Sequence, residues 1–171
     1  MGVRGRIPGV AAAVLISSGV LAAQLPSAVV HWSAKPATAS VIPGTTLKVA
    51  LTATIESGWH IYAMTQPDNG PIPMTIAVPS APGFQMLVKR IESPPPIVTR
   101  DPTFQSDTHY YEKEVTLTVP FAVRGAAKPG KQTIPIEITY QACSNRICLR
   151  PFTEKLSVEV SVAGGVKGKV Q

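Results

Sequence analysis

The sequence predicts an all-β chain folded as a sandwich of antiparallel sheets, and three observations carry that prediction. Four long stretches alternate apolar and polar residues at a period of two, the mark of strands buried on one face. Beyond the first two dozen residues, no stretch sustains the 3.6-residue period of an amphipathic helix. Glycine and proline, 13 and 17 of 171 residues, punctuate the intervals between the alternating runs.

At the amino terminus, Arg4 and Arg6 precede the small apolar run 9–23, and Leu21-Ala22-Ala23 before Gln24 offers small residues for cleavage. This is the layout of a secretory signal peptide. The run is shorter than the roughly twenty residues that span a bilayer as a helix. An uncleaved anchor is the competing reading, but nothing after Ala23 extends the apolar stretch, and no cysteine near the cleavage site suggests a lipid anchor. Residues 1–23 are therefore expected to be a signal peptide, 24–163 a single domain outside the cytoplasm, and 164–171 a flexible tail. The remaining length suits one core and is too short for a second catalytic domain. Formal net charge is +6, and loss of Arg4 and Arg6 leaves 14 basic against 10 acidic residues, net +4. The basic residues are scattered, with no stripe interleaved with aromatics, so no nucleic-acid partner is expected.

The strands follow in order. Leu47, Val49, Leu51, Ala53 and Ile55 share one face, with Thr46, Lys48, Thr52 and Thr54 on the other. The alternation returns at Val115, Leu117, Val119, Phe121 and Val123, then at Ile134, Ile136, Ile138 and Tyr140, and last at Leu156, Val158, Val160 and Val162. Shorter strands are expected at 29–33, 59–63, 74–78 and 84–91. One-sided strands must bury their apolar faces against one another across two sheets, which makes an immunoglobulin-like antiparallel β-sandwich the leading architecture. Pro135 implies an edge position for its strand. Residues 92–112, with Pro94, Pro95, Pro96 and Pro102, read as a long loop, and loops of that length are commonly functional.

The chemistry concentrates at residues 140–151. Strand periodicity runs to Tyr140 and resumes near Leu156, with Ser144, Asn145 and Arg146 as turn residues between, so Cys143 and Cys148 sit at the neck of a hairpin. Facing α-carbons on antiparallel strands lie about 4.5–5.5 Å apart, within reach of a disulfide. A ring this small contributes only about 2 kcal/mol in the chain-entropy picture, against nearly 5 for a loop of about a hundred residues. A chain with just two cysteines would gain more from a distant staple, yet short structural disulfides are common, and spacing alone leaves staple and switch both open. Two cysteines without further clustered ligands do not make a metal site.

Tyr140-Gln141-Ala142-Cys143, followed by Cys148 and Pro151, resembles the active-site hairpin of the amino-terminal periplasmic domain of the DsbD family of thiol:disulfide interchange proteins. Gly58-Trp59-His60-Ile61-Tyr62 resembles that family's early aromatic strand, and residues 110–117 resemble the strand after its cap loop. The resemblance covers about residues 28–162. It implies a periplasmic immunoglobulin-like domain with no cofactor. Such a domain takes reducing equivalents from a membrane-embedded electron carrier, directly or through a thioredoxin-like domain, and hands them to periplasmic thioredoxin-like proteins. Contact with the membrane is then only through a partner. Two features depart from the family: four residues rather than five separate the cysteines, and this sequence contains neither the polytopic membrane domain nor the CxxC-bearing domain of full-length members. Reducing equivalents are accordingly expected from separate proteins, the alternative being a divergent module with other partners.

By the same resemblance Cys148 matches the cysteine that forms the mixed disulfide, and Cys143 the resolving one. The attacking thiol must be accessible and partly ionised, and Arg146 and Arg150 flank Cys148. His60 and Tyr62 share a strand face and match family aromatics beside the cysteines, with a core tyrosine and a surface histidine as the alternative reading; Trp59 points to the core. Phe104, in residues 101–108, is the candidate cap aromatic, with Tyr110 or Tyr111 as alternatives. Two other readings are a non-catalytic binding module with a structural disulfide, and a copper-handling protein using Met64, Met74, Met86, His60 and His109. Soft ligands suit Cu(I), but these methionines are isolated in sequence.

Overall fold

The computed structural model describes residues 25–102 and 104–164. The expected signal peptide and the tail beyond Gly164 lie outside them. Twelve strands follow in order: β1 (Val30–Pro36), β2 (Ser40–Val41), β3 (Thr46–Ile55), β4 (Trp59–Tyr62), β5 (Thr75–Ala77), β6 (Phe84–Met86), β7 (Ile97–Asp101), β8 (Ser106–Tyr111), β9 (Glu114–Val123), β10 (Gly130–Tyr140), β11 (Ala142–Ser144) and β12 (Phe152–Val162). Two 3₁₀ turns, Pro26–Ala28 and Val88–Arg90, are the helical elements among the described residues, and none is long and apolar enough to cross a membrane.

The long strands carry the sandwich as their period dictates. In β3, Leu47, Val49, Leu51, Ala53 and Ile55 are buried, and in β9 so are Val115, Leu117, Val119, Phe121 and Val123. These strands pair in the sheet β1-β3-β9-β6, while β10 and β12 form the middle of the sheet β2-β12-β10-β5. Ile134, Ile136, Ile138, Tyr140, Val158, Val160 and Val162 join the same buried cluster. Each such side chain contributes about 1.5–3 kcal/mol on burial, so this shared interior is the main adhesive between the layers. Trp32 of β1 and Tyr140 of β10 cross it, with ring centroids 5.8 Å apart. The fold is the expected all-β sandwich, antiparallel apart from the short parallel pairing of β2 with β12.

A third sheet, β11-β4-β8-β7, positions the site. It is assembled from continuations of the other two. Past β3 the chain turns at Gly58, whose φ of 82° a side chain would resist, and resumes as β4. β8 leads into β9 through Lys113, at φ 63°, whose carbonyl accepts the Ile55 N–H at 2.6 Å. β11 follows β10 after Gln141.

Three sequence expectations need correction. Residues 92–112 are not an open loop: β7 and β8 form a hairpin in register from Ile97↔Tyr110 to Asp101↔Ser106. The buried positions of β8 include the small hydroxyls Ser106 and Thr108, so no apolar alternation announces the strand, and the prolines 94–96 precede the hairpin rather than interrupt it. Pro135 does not mark an outer strand. β10 pairs with β12 throughout, but on its other flank β5 covers only Glu137–Thr139, so Pro135 lies beside a locally open edge. The expected strand at 84–91 is likewise cut short after Met86 by the turn Val88–Arg90.

Candidate active site

Periodicity puts the cysteines at the neck of the β10/β12 hairpin; the structure puts them on a smaller hairpin inserted there. Beyond Tyr140↔Phe152, the last pair of that ladder, the chain crosses to the third sheet, where Ala142, Cys143 and Ser144 pair with Ile61, His60 and Trp59. It then reverses at Asn145-Arg146. Ser144 N–H donates to the Ile147 carbonyl at 2.8 Å, and Leu149 N–H to the Ala142 carbonyl at 2.9 Å. The Ser144 hydroxyl oxygen accepts the N–H groups of Arg146 (3.3 Å) and Ile147 (3.2 Å), and Gln141 Nε2 donates to the Leu149 carbonyl at 3.0 Å. Cys143 and Cys148 form the antiparallel pair between these bonded positions. Such non-hydrogen-bonded pairs are the closest in an antiparallel ladder; here the α-carbons are 4.0 Å apart and a disulfide joins them. Two turn residues plus one bonded pair require four residues between the cysteines, which accounts for the spacing.

The two cysteines differ in access. Cys143 has 0% exposure, whereas Cys148 is exposed. Both line a cavity of about 380 Å³ with His60, Tyr62, Phe104 and Asp101. The aromatic rings form a chain: His60 lies 4.9 Å from Tyr110 and 5.4 Å from Tyr62, and Tyr62 meets Phe104 edge-on at 6.5 Å. Phe104 occupies the turn between β7 and β8. Its carbonyl accepts a bond from Asn69 Nδ2 at 3.3 Å, and Gln105 reverses the chain at φ 53°.

Of the expected neighbours, His60, Tyr62 and Phe104 share the cavity with both cysteines, and Tyr110 backs His60 from β8. Tyr111 does not belong with them. Successive strand residues face opposite ways, and Tyr111 is buried in the core cluster with its hydroxyl donating to the Pro94 carbonyl at 3.1 Å; it cannot serve as a cap. Trp59 is half-buried against the core. Arg146 lines the cavity and Arg150 does not.

Burial pushes the His60 pKa below its usual value, against the opposing pull of the Glu112 and Asp101 carboxylates. The Tyr62 hydroxyl is pushed upward, chiefly by burial and further by Asp101. Met74 is buried in the core, away from a coordinating role, and among the described residues no group of three or more His, Cys, Asp or Glu side chains is arranged to hold a metal ion.

Sequence reasoning missed three contributors. Asp101 brings the carboxylate of the cavity wall. Gln66 clamps β8 through both backbone groups of His109, donating to its carbonyl (2.5 Å) and accepting its N–H (3.1 Å). Asn69 fastens the Phe104 turn. In sequence these are polar residues of proline-rich connections and look solvated; the one available signal was Asp101's position three residues before the apolar tip.

Fold and site together define an all-β sandwich domain that presents a hairpin disulfide, one cysteine buried and one open, beside a cluster of aromatic rings: the build of a thiol:disulfide exchange module. The chain belongs to the family described as thiol:disulfide interchange protein DsbD, N-terminal, which it matches over residues 28–160. The crystal structure of the N-terminal periplasmic domain of ScsB from Proteus mirabilis is similar, with a TM-score of 0.53 at 17% identity, covering 81% of this chain and 49% of that one. This chain thus spans about half the length of that structure. ACE19, the collagen-binding subdomain of the Enterococcus faecalis surface protein ACE, aligns more loosely, with a TM-score of 0.38 at 10% identity over 76% of this chain and 95% of that one. No curated protein sequence matches the chain.

Proposed function

We propose that this domain is a periplasmic thiol:disulfide interchange module, accepting reducing equivalents from a membrane-embedded electron carrier or its thioredoxin-like domain and passing them to periplasmic thioredoxin-like proteins. The observation that carries this reading is the unequal access of the two cysteines. An incoming thiolate must reach a disulfide sulfur, and the exposed cysteine is Cys148. Attack there forms a mixed disulfide with the partner and releases Cys143 as the leaving thiolate; the partner's second thiolate then displaces Cys148, leaving a reduced pair. In the donating direction the Cys148 thiolate attacks the substrate disulfide, and Cys143 resolves the intermediate. A staple needs neither the asymmetry nor the cavity. The periplasmic location described for the ScsB domain supports the same compartment here.

The test is a trap in the native host. Cys143→Ala leaves Cys148 unable to be resolved, so reductant-sensitive covalent adducts should accumulate on it, and Cys148→Ala should accumulate none. Absence of adducts on either variant would leave a structural disulfide as the explanation.

A further inference from the structure

We propose that His60 is the proton acceptor for Cys143 in the step that resolves the mixed disulfide. This rests on the exchange function proposed above and adds to it the group that makes the buried thiol a nucleophile. When Cys148 is joined to a partner, Cys143 is a thiol, and thiols attack only as thiolates. Cys143 is fully buried in the disulfide form. Burial in apolar surroundings disfavours its anion and keeps bulk water from taking the proton, so a base must stand within the cavity.

The groups around it narrow the choice. On β4, Tyr62 is held protonated by its surroundings. On β7, Asp101 offers a carboxylate, a class of group that is a far weaker base toward a thiol than an imidazole is. On β8, Tyr110 is an aromatic support, and Glu112, just past that strand, acts on His60 through its charge. Arg146, at the hairpin turn, has no proton-accepting form. His60 remains. It is the cross-strand partner of Cys143, a position that puts side chains on one face with α-carbons about 4.5–5.5 Å apart, and it lines the same cavity as both cysteines. Tyr62 and Tyr110 hold its ring. Burial keeps the imidazole neutral and ready to accept, while Glu112 and Asp101 favour the imidazolium once formed.

The step balances. The Cys143 thiol proton passes to the free imidazole nitrogen, and the Cys143 sulfur bonds to Cys148 Sγ. The bond between Cys148 and the partner's sulfur breaks, with its electron pair leaving on the partner as thiolate. Two electrons move from the cysteine pair to the partner, and the imidazolium returns its proton to solvent.

Reaction of the reduced protein with the chromogenic disulfide of thionitrobenzoate separates the steps: attack by Cys148 releases one thionitrobenzoate, and resolution by Cys143 releases a second. In His60→Phe, which keeps a ring against Tyr62 and Tyr110, and in His60→Gln, the ratio of second-phase to first-phase rate should fall by about a hundredfold or more, the lower reach of general-base catalysis. The wild-type second phase should slow as pH drops below the histidine range and stay level above it. In both variants it should instead climb with pH towards the thiol's own ionisation. An unchanged ratio and pH profile in the two variants, with cooperative thermal unfolding of their oxidised forms intact, would overturn the role of His60. A wild-type protein that releases only the first thionitrobenzoate would instead overturn the exchange function, and this role with it.

Discussion

Phe104 is tied by its carbonyl to Asn69, meets the Tyr62 ring edge-on and lines the cavity with both cysteines rather than the core, and we propose it as their cover. Phe104→Ala should therefore leave thermal unfolding nearly unchanged, since a loop side chain outside the main core contributes little. It should speed alkylation of reduced Cys148 by a bulky reagent, because access enters the rate directly. Equal rates at matched thiol pKa would remove Phe104 as the cover. His60 carries a stability signature as well. Its folded pKa lies below its ordinary value, so the stability it contributes is present above about pH 6.5 and is lost as pH falls through the lowered folded value. The melting temperature of wild type should drop more between pH 7 and 5 than that of His60→Phe, and parallel drops would contradict this assignment. At this scale the period of two put His60 and Tyr62 on one strand face, while their place beside the cysteines, like that of Phe104, was expected from the family resemblance. Asp101, Gln66 and Asn69 were not legible, since their partners lie 35 to 43 residues away or across the cavity and nothing local distinguishes them from solvated polar residues.

Among the elements, the cysteine hairpin is tied by backbone and side-chain bonds on both sides of the disulfide, at Ser144 with Ile147 and at Ala142 with Leu149. Reduction should leave the domain folded, costing at most a few kcal/mol given the small ring. Loss of cooperative unfolding in the reduced protein would mark the bridge as a staple. A contrasting change lies away from the site at Gly83, before β6, where φ is 84° and an added Cβ would stand 2.3 Å from the Ala127 α-carbon. Gly83→Ala should destabilise the domain by more than about 1 kcal/mol, read as a lower melting temperature, while the oxidised hairpin keeps its reactivity. The long strands β3, β9, β10 and β12 were readable because each buries one apolar face. The β7/β8 hairpin was not, because its inner face is lined by Ser106 and Thr108, and the small hairpin of β11 was hidden by its length.

Across the whole molecule, three sheets share chains so that the disulfide hangs on continuations of the strands that build the core: β4 from β3, β8 into β9, β11 from β10. The sandwich was legible from periodicity, whereas the third sheet was not, since its strands are short extensions whose partners are fixed by turns at Gly58 and Lys113. The same interior holds Tyr140, whose buried hydroxyl is without a hydrogen-bond partner and whose pKa burial raises well above its ordinary value. A raised acid contributes stability below its unfolded pKa of about 10 and loses it as pH climbs further. The melting temperature should thus fall steeply above pH 10, and less so in Tyr140→Phe. The central claim is that this scaffold carries a switch rather than a staple. Equilibration of the Cys143–Cys148 couple against glutathione buffers measures that directly: an exchange module should show a reduction potential above about −300 mV, and a value below it, the range of structural disulfides, would contradict the claim.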